Sequence, residues 1–494
     1  MRAMISCANW WRGCKADLGV GDAPVLVGTE RKGRAPAELC PESPSQMTPF
    51  PFNAATPVTY PGPAPDRADV VVIGGGIIGV CTALFLARGG HSVALLEKGR
   101  IAAEQSSRNW GWIRQQGRDP DEIPIMMEAL QLWRALAGET NIDIGLRQQG
   151  VTYLAKDARA LDRYEAWLPH ARAHGINSRI LSSSETAAMF PDCAQRFAGA
   201  LTTPSDMQAE PTLAVPALAA IAARASVAIV ENCAVRMLDI AAGRVAGVIT
   251  ENGRISTTQV VLAGGAWSSL FLRNHGVALP QLSVRENVAA TGPLPDIHAG
   301  AAANQKVAFR RRKDGGYTLA RRGASDLFVG PDAFRSLPKY LTQLRADPFG
   351  QRLLPAAPRG FPDAWTTRRH WTGDERTPFE DMRILDPAPN MREINHLSGD
   401  FAEMFPALPP VTIKSVWAGM IDTMPDIVPV VDVCAQLPGL TIGMGMSGHG
   451  FGIGPAMGRV LAALVTGDAV GHDLSRLRAT RFTDGSAMRL GPNV

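Results

Sequence analysis

The 494-residue sequence lacks the features that mark several specialised classes of protein. Charged residues make up only 19%, and 50 Lys+Arg against 46 Asp+Glu give no basic excess of the kind that nucleic-acid binding requires. No segment approaches the roughly 18–20 uninterrupted apolar residues of a membrane-spanning helix. The N-terminus also lacks the apolar core of a signal peptide. These absences predict a soluble protein of small-molecule chemistry, with no nucleic-acid partner and no integral membrane segment.

Cysteine is scarce and scattered. The seven cysteines are odd in number, and none of them forms a Cys-x-x-Cys pair. Such spacing supports neither a disulfide framework nor a zinc site, so no metal is predicted. A reducing compartment is expected, and the predicted location is the cytoplasm or the periphery of the inner membrane. The cysteines are Cys7, Cys14, Cys40, Cys81, Cys193, Cys233 and Cys434.

Residues 1–66 show neither a helical nor a strand period. Nine prolines fall between Pro36 and Pro65, a density that favours extended and poorly packed chain. We therefore expect a proline-rich N-terminal tail over 1–66. Met47 is a candidate natural start, because everything that the fold needs lies after Pro65.

The regular pattern begins with "DVVVIGGGIIG" from Asp69. It predicts a strand over Val70–Ile73, a glycine turn, and an apolar helix over Ile77–Arg88. A second strand follows over 92–96. In the turn Gly-x-Gly-x-x-Gly, the first glycine permits the tight bend, the second lets the backbone approach a pyrophosphate, and the third lets helix and strand pack closely.

The acid at the end of the second strand strengthens this interpretation. Glu97 lies 18 residues beyond Gly79, where a carboxylate accepts hydrogen bonds from an adenosine ribose. An acid here disfavours the 2′-phosphate of NADP, so FAD and NAD stay open. The alternative is a glycine turn with a purely structural role.

A second glycine-rich segment, Gly439–Gly467, repeats the strand, loop and helix order. The loop is predicted over Gly443–Gly450 and the helix from near Gly454. Another helix N-terminus would stabilise negative charge on a reduced flavin ring, which a nicotinamide enzyme does not need. FAD is thus favoured over NAD, against the alternative of a glycine-rich turn into a packed helix.

The middle of the chain alternates between helix-like and strand-like stretches, which is typical of an α/β core with an inserted sheet domain. We predict a discontinuous Rossmann-like FAD-binding domain over 67–110, 205–280 and 415–494. A second, α+β substrate domain, built on a largely antiparallel sheet, is predicted over 111–204 and 281–414. The stretch from Leu337 to Arg383 is rich in Pro, Arg and Trp and has weak periodicity.

Several separated motifs resemble, in order, those of the D-amino-acid oxidase superfamily of FAD-dependent oxidoreductases. They are "DVVVIGGGIIG", "LLEKGRIAAEQSSR", "VVLAGGAWS", "WAGMIDTMPDIVPVV" and "MGMSGHGFGIGPAMG". The resemblance covers about Asp69 to Gly467, and it is closest to the bacterial L-amino-acid deaminases. It implies an enzyme that takes a hydride from the amine-bearing carbon of an amino acid, after which the imine hydrolyses to a keto acid and ammonia. A secondary amino acid, as in sarcosine and glycine oxidases, and a D-amino-acid dehydrogenase activity are the alternatives.

The resemblance also implies the residues that hold the cofactor. The position at which sarcosine oxidases attach flavin through cysteine is Gly419 here, so FAD is expected to be non-covalent. Oxygen and a quinone or other electron carrier are both open as acceptors. The expected FAD-binding residues are Gly74, Gly76, Ile77, Ile78, Gly79, Glu97, Lys98, Gln105, Ser106, Ser107, Arg108, Val235, Gly264, Trp267, Gly445, Ser447, Gly448, His449 and Gly450.

For the substrate, the resemblance points to Arg322 as a carboxylate-binding arginine, since a guanidinium grips a carboxylate through two parallel bonds. Four further arginines crowd the same segment, and one of them could take that role. The segment "NWGWIRQQ" departs from the deaminases, and its Trp112 and Arg114 would line the pocket. These three residues are the candidates for the substrate site.

Two other classes of enzyme are disfavoured, and one non-enzymatic class stays open. A pyridine-nucleotide disulfide reductase needs a redox cysteine pair after the first βαβ unit, whereas Cys81 is single and lies within the helix. The "SGHGF" loop disfavours an aromatic hydroxylase. A non-enzymatic protein that merely retains flavin stays open, and reduction of the flavin by amino acids would separate it from an enzyme.

Overall fold

The predicted βαβ unit is present in the computed structural model, which describes residues 47–323, 325–348 and 350–491. Strand β1 (Val70–Ile73) leads through the glycine turn into helix α1 (Ile77–Arg88), and strand β2 (Val93–Leu96) follows. The two strands pair in parallel. Nine of the twelve α1 side chains are buried, so this helix is held by tertiary packing and has no polar face.

The remaining strands and helices lie along the chain as follows. The strands are β3 (Trp112–Ile113), β4 (Arg147–Gln148), β5 (Val151–Ala155), β6 (Arg179–Ser182), β7 (Gly199–Thr203), β8 (Met207–Gln208), β9 (Ala228–Val230), β10 (Val235–Ala241), β11 (Arg244–Thr250), β12 (Gly253–Ser256), β13 (Gln259–Leu262), β14 (Leu282–Thr291), β15 (Ala301–Ala303), β16 (Val307–Arg311), β17 (Tyr317–Arg321), β18 (Ser325–Phe328), β19 (Gln351–Leu354), β20 (Ile413–Thr423), β21 (Val430–Val433) and β22 (Leu440–Met444). The helices are α2 (Gln105–Arg108), α3 (Ile123–Glu139), α4 (Ala158–Ala173), α5 (Ser183–Met189), α6 (Pro211–Arg224), α7 (Ser268–Asn274), α8 (Pro331–Ala346), α9 (Pro378–Asp381), α10 (Met391–Met404) and α11 (Gly450–Thr466).

A six-stranded sheet of order β21-β22-β13-β1-β2-β9 forms the first layer. Its pairs are parallel except for the antiparallel pair of β21 and β22. Helices α1, α3, α6 and α11 share one apolar core with this sheet. On its other face, a second core includes side chains of the small antiparallel sheet β10-β11-β12. Covering both faces is what a parallel sheet requires.

A ten-stranded sheet forms the second layer, in the order β19-β18-β14-β17-β16-β15-β5-β7-β6, with β20 also paired to β14. Its pairs are antiparallel except for β15 with β5 and β18 with β19. A fourth, small sheet joins β3, β8 and β4. The predicted fold class, a parallel α/β layer with a largely antiparallel α+β layer, is confirmed.

The boundaries of the two domains stay a prediction. Strand β20 pairs with β14 over the whole length of β20, from Ile413 to Thr423. Residues 415–423 therefore belong to the ten-stranded sheet, although the predicted boundary places them in the FAD-binding domain. The sequence around residue 415 shows no composition change that marks which sheet this strand joins.

Two local expectations differ from the structure. Helix α11 begins at Gly450, not near Gly454. Phe451, Gly452 and Ile453 are buried, and this packing keeps the first turn helical in spite of the low propensity of glycine. The weakly periodic stretch 337–383 contains most of α8 and strand β19. Pro338 lies inside α8 and obscures its period.

The predicted tail divides in two. Residues 1–46 lie outside the described part, and the prediction for them stands untested. Residues 47–66 form no helix or strand and are mostly exposed or half-buried, but one side chain packs more tightly than expected: Phe50 is buried against Trp417, with ring centroids 4.9 Å apart. The Phe52 carbonyl also accepts a hydrogen bond from Arg108 at 2.8 Å. Long-range contacts order this segment without any internal period.

Among the helices of the described residues, none combines the length and the apolar character needed to cross a membrane. The described cysteines, Cys81, Cys193, Cys233 and Cys434, are free and buried.

Candidate active site

A single cavity of about 540 Å³ connects the two glycine turns and reaches the face of the ten-stranded sheet. This volume lies within the range of cofactor and ligand sites. Gly79, Ser107 and Gly445 are predicted site residues that do not line it. The predicted residues that do are Gly74, Gly76, Ile77, Ile78, Glu97, Lys98, Gln105, Ser106, Arg108, Trp112, Arg114, Val235, Gly264, Trp267, Arg322, Ser447, Gly448, His449 and Gly450.

The first glycine turn is fixed by backbone sterics. Gly74 has φ +110°, and a Cβ there would lie 2.4 Å from the Ala263 carbonyl oxygen. A Cβ on Gly79 would lie 2.0 Å from the Gly74 oxygen. On Gly76 the nearest atom to a Cβ is the Ser106 hydroxyl, at 3.1 Å, so this glycine leaves the start of α1 open to the cavity. The tight turn at Gly74 and the close helix–strand packing at Gly79 agree with the predicted roles of these glycines, and the approach of a pyrophosphate at Gly76 stays a prediction.

Glu97 lies at the end of β2 beside this turn. Its carboxylate accepts hydrogen bonds from the amides of Gly75 and Gly99, both at 2.7 Å. Burial raises the pKa of Glu97 to about 7, and nearby Glu104 adds to the increase while Lys98 opposes it. An acid held by two backbone amides at the rim of a cavity is preorganised to accept hydroxyl donors.

The second glycine turn depends on an acid from the other layer. The Gly445 amide donates to Asp422 of β20 at 2.7 Å, and the Ser447 amide donates to the Asp422 carbonyl at 2.9 Å. Gly448 has φ +81°, and its nearest potential contacts are 3.8 Å away. The turn therefore presents the N-terminus of α11 to the cavity without steric closure.

The segment 105–108 joins the two turns. The Ser106 hydroxyl accepts a hydrogen bond from the Ile77 amide at 2.9 Å. Arg108 is almost fully buried and donates to the carbonyls of Ala103 at 2.9 Å and Ala418 at 3.0 Å. A Cβ on Gly419 would lie 3.3 Å from the Arg108 Cβ. Gly419 thus keeps the cavity open beside this segment.

These features fit a dinucleotide. Two helix N-termini with their amide dipoles meet the same cavity, one beside a hydroxyl-accepting carboxylate, as pyrophosphate and ribose binding require. The wall at Gly76 and Gly419 is open because no side chain is present there. Lys98 forms an ion pair with Glu104 at 2.6 Å, and its Nζ lies 4.4 Å from the centroid of the Trp267 ring. Lys98 and Trp267 therefore pack against each other in the cavity wall.

The candidate substrate residues meet around one tyrosine. The guanidinium carbons of Arg322 and Arg114 lie 4.5 and 5.8 Å from the centroid of the Tyr153 ring. Trp112 has its ring centroid 6.2 Å from that of Tyr153, and its buried Nε1 has no hydrogen-bond partner among the described residues. We refer to Trp112, Arg114, Tyr153 and Arg322 as the cation wing of the cavity.

The structure separates Arg322 from the arginines that crowd it in sequence. Within the described ranges, it is the member of that group that forms no ion pair. The other four are engaged with acids: Arg310 with Glu210 at 2.9 Å, Arg311 with Asp296 at 3.8 Å, Arg312 with Asp314, and Arg321 with Glu393 and Asp400, both at 3.2 Å.

A buried cluster of Arg118, Glu122 and His449 lies next to Arg114 of the cation wing. The fully buried Glu122 has Oε2 3.3 Å from Nδ1 of His449 and 3.9 Å from Arg118. Burial lowers the pKa of His449 to about 4, so the imidazole is neutral at pH 7. Nε2 of His449 lies 3.5 Å from Arg114, and in a neutral ring with its proton on Nδ1 this nitrogen is an acceptor for the Arg114 guanidinium.

Sequence reasoning missed several of these residues. Arg118 and Glu122, spaced by four in "GRDPDE", offered a weak helical ion-pair signal. Tyr153 on β5 and Glu286, which lines the same cavity from β14, lie in strands whose sequences carry no motif, although Glu286 interrupts an apolar alternation. Among the described residues, no group of three or more His, Cys, Asp and Glu is placed to hold a metal ion.

Comparison with known proteins defines the class. Residues 69–464 match the FAD dependent oxidoreductase family, and the chain belongs to that family. The FAD dependence predicted from the glycine turns is thereby confirmed.

Solved structures give a closer likeness. L-Amino acid deaminase from Proteus myxofaciens, in complex with anthranilate, is 30% identical with a TM-score of 0.81, covering 86% of this chain and 95% of that one. L-Amino acid deaminase from Proteus vulgaris is 29% identical with a TM-score of 0.80, covering 85% and 98%. The predicted resemblance to bacterial L-amino-acid deaminases is confirmed.

Two curated relatives are similar over about half of this chain. Human mitochondrial sarcosine dehydrogenase is 31% identical over 243 residues, which are 48% of this chain and only 26% of the relative. The chain therefore spans about a quarter of the length of that relative. Glycine oxidase from Geobacillus kaustophilus is 33% identical over 239 residues, 46% of this chain and 63% of the relative.

Proposed function

We propose that the protein oxidises an amino acid with non-covalent FAD, removing a hydride from the amine-bearing carbon, and that the imine then hydrolyses to keto acid and ammonia. The observation that carries the proposal is the cation wing: two guanidinium groups without an acid partner in the described residues face a cavity whose other end fits a dinucleotide. The likeness to L-amino acid deaminases over most of both chains supports it.

Within this proposal, Arg322 binds the substrate carboxylate through a bidentate pair, and Tyr153 holds the guanidinium in place. The Trp112 Nε1 donates a third hydrogen bond to the carboxylate, which would satisfy its unpaired proton. Arg114 and the neutral His449 keep the neighbouring wall polar and cationic. Once the amine is neutral and oriented, the reaction needs little further acid–base assistance. When bound, FAD supplies the hydride acceptor.

The residues predicted to hold FAD keep their assignments in this proposal, with Gly79, Ser107 and Gly445 supporting the turns from outside the cavity. Gly419 offers no nucleophile for a covalent bond at that position. The acceptor that reoxidises the flavin is proposed to be oxygen or a quinone or other carrier, and the location is proposed to be the cytoplasm or the periphery of the inner membrane. The domain assignment is proposed as predicted, with β20 counted in the substrate sheet.

The cofactor state is tested by acid precipitation of the purified protein. Flavin should appear in the supernatant, and a yellow pellet would contradict non-covalent binding. The activity is tested by anaerobic bleaching of the holoenzyme with L-, D- and N-methyl amino acids. Bleaching by primary amino acids supports deamination. Bleaching by sarcosine alone would favour the secondary-amine alternative, and no bleaching by any of them would leave a flavin-binding protein without this activity.

Arg322→Ala tests the carboxylate clamp. Removing a bidentate charge-assisted pair costs about 2–5 kcal/mol, so kcat/KM should fall by about 30- to several-thousand-fold while flavin content is unchanged. Arg322→Lys should recover only part of the loss, since a point charge does not reproduce the fork. Arg311→Ala, on β16 and outside the cavity, is the matched control. If Arg114→Ala abolishes flavin reduction and Arg322→Ala does not, the clamp is Arg114.

A further inference from the structure

Opposite in character to the cation wing, one part of the cavity is rich in hydrogen-bond acceptors. Glu286, Ser325, Gln343, Asp347 and Gln351 all line it, and we refer to them as the acceptor wing. Strands β14, β18 and β19 are adjacent in the ten-stranded sheet. Gln351 pairs with Ser325, and the Ser325 hydroxyl hydrogen-bonds the Glu286 carboxyl group. Three neighbouring strands therefore place Glu286, Ser325 and Gln351 in one row.

Glu286 is the unusual member of this row. It lies on β14 between Val284 and Val288, and these three alternate residues face the same cavity. Both valines are buried. The residue directly opposite Glu286 on β20 is Gly419, which has no side chain to cover the carboxyl group. An acid thus replaces an apolar side chain at the middle of a cavity-facing strand.

No cation neutralises this acid in the part of the chain that the structure describes. The arginines nearby are paired with other acids: Arg285 and Arg352 with Asp326, at 2.6 and 2.5 Å. Burial, with smaller effects of Asp326 and Glu393, raises the pKa of Glu286 to about 7. Glu286 is half-buried at the cavity wall, and an ionised carboxyl group without a positive partner is unfavourable there. A role in binding therefore explains this position better than fold stability does.

A further acceptor of the acceptor wing is unpaired among the described residues, whereas Glu286 accepts a hydrogen bond from Ser325. The Oε1 atom of Gln343, near the end of α8, is buried and has no hydrogen-bond partner among the described residues. Asp347 caps the end of the same helix at the cavity rim, where it forms no ion pair within the described ranges. Buried acceptors are almost always satisfied in folded proteins. The unpaired Gln343 oxygen, the Glu286 carboxyl group without a cationic partner among the described residues, and the rim acid together point to a donor supplied by a ligand.

We propose that the acceptor wing binds a cationic, hydrogen-bond-donating group at the distal end of the substrate, so that the preferred substrates are amino acids with a basic side chain. This inference rests on the proposed function, in which the cation wing holds the carboxylate. The substrate then spans the cavity with its negative end at Arg322 and its positive end at Glu286. An apolar or acidic side chain would leave the acceptors unpaired, which is the kind of mismatch that gives strong discrimination.

The test compares lysine and arginine with norleucine, a substrate of similar length without the terminal cation, using anaerobic flavin reduction by the holoenzyme. Kd values from perturbation of the flavin spectrum give a readout independent of turnover. We expect kcat/KM for the basic substrates to exceed that for norleucine by at least about tenfold. Glu286→Gln should lower kcat/KM for the basic substrates by about tenfold or more, and it should change kcat/KM for norleucine by no more than about twofold.

Two controls make the result interpretable. Glu403→Gln changes an exposed acid of α10 away from the cavity, and it should leave kcat/KM unchanged for both the basic substrates and norleucine. If Glu286→Gln does not retain flavin, Gln343→Leu provides the same test from α8, with a smaller selective loss for basic substrates. Norleucine reacting as well as lysine, with both unchanged by either variant, overturns the inference while leaving the proposed function intact. Failure of every amino acid to reduce the flavin overturns both.

Discussion

The cofactor end and the substrate end of the cavity are built in different ways. At the cofactor end, backbone atoms of Gly74, Gly79 and Ala263 come so close that side chains are excluded. At the substrate end, the walls are charged side chains from distant strands, such as Arg322 and Glu286. A site formed by close backbone contacts tolerates almost no substitution. In a site formed by side chains, a substitution can change the specificity while the fold is retained. The cofactor end is therefore expected to fix the chemistry, and the substrate end to fix the choice of substrate.

The most severe test of this difference is Gly79→Ala. A Cβ at this position would lie 2.0 Å from the Gly74 carbonyl oxygen and 3.3 Å from Val72, and neither neighbour can move without shifting β1 against α1. We expect loss of bound flavin and of most folded protein, measured by the 450 nm absorbance and by thermal unfolding. Gly138→Ala, where a Cβ meets nothing within 4 Å, is the control. A Gly79→Ala protein with normal flavin content would show that the turn is not limited by backbone packing.

A smaller effect is expected from pH at the cofactor end. Since burial raises the pKa of Glu97 to about 7, this acid is largely protonated in the apoprotein below pH 7 and ionised above it. The ionised form is the better acceptor for ribose hydroxyl groups, so the affinity of the apoprotein for FAD should rise several-fold between about pH 6 and 8. The dependence is measured by fluorescence titration with FAD. Glu97→Gln should bind more weakly and flatten the profile; an unchanged profile would contradict this role.

The smallest effect is expected from removing residues 1–46. A chain that starts at Met47 keeps the Phe50 contact with Trp417 and the Phe52 bond to Arg108, so its Tm and FAD affinity should match those of the full chain. A chain that starts at Arg67 loses both contacts, and Arg108 lies in the segment that joins the two glycine turns. Its Tm should fall by several degrees, as expected for the loss of a buried aromatic side chain. Equal Tm values for the two truncations would contradict the observed packing.

The sequence was informative where the signal is local. The strand, glycine turn, helix and acid from Val70 to Glu97 occupy one short stretch, and steric rules for glycine are the same in any protein. The second glycine turn was found in the same way, but its helix begins four residues earlier than predicted. That start is set by burial against α1 and α3, which the local sequence does not contain.

The sequence by itself determined the fold class, the two glycine turns and the dependence on FAD, because these follow from backbone geometry within short segments. Tertiary structure alone decided which arginine of a crowded group stays without an acid partner, since the ion pairs of Arg310 and Arg321 join residues 72 to 100 positions apart. It also decided that Phe50 packs in the core and that Glu286 faces a cavity across from a glycine. Charge pairing and burial depend on neighbours distant in the chain, and no periodicity or motif encodes them.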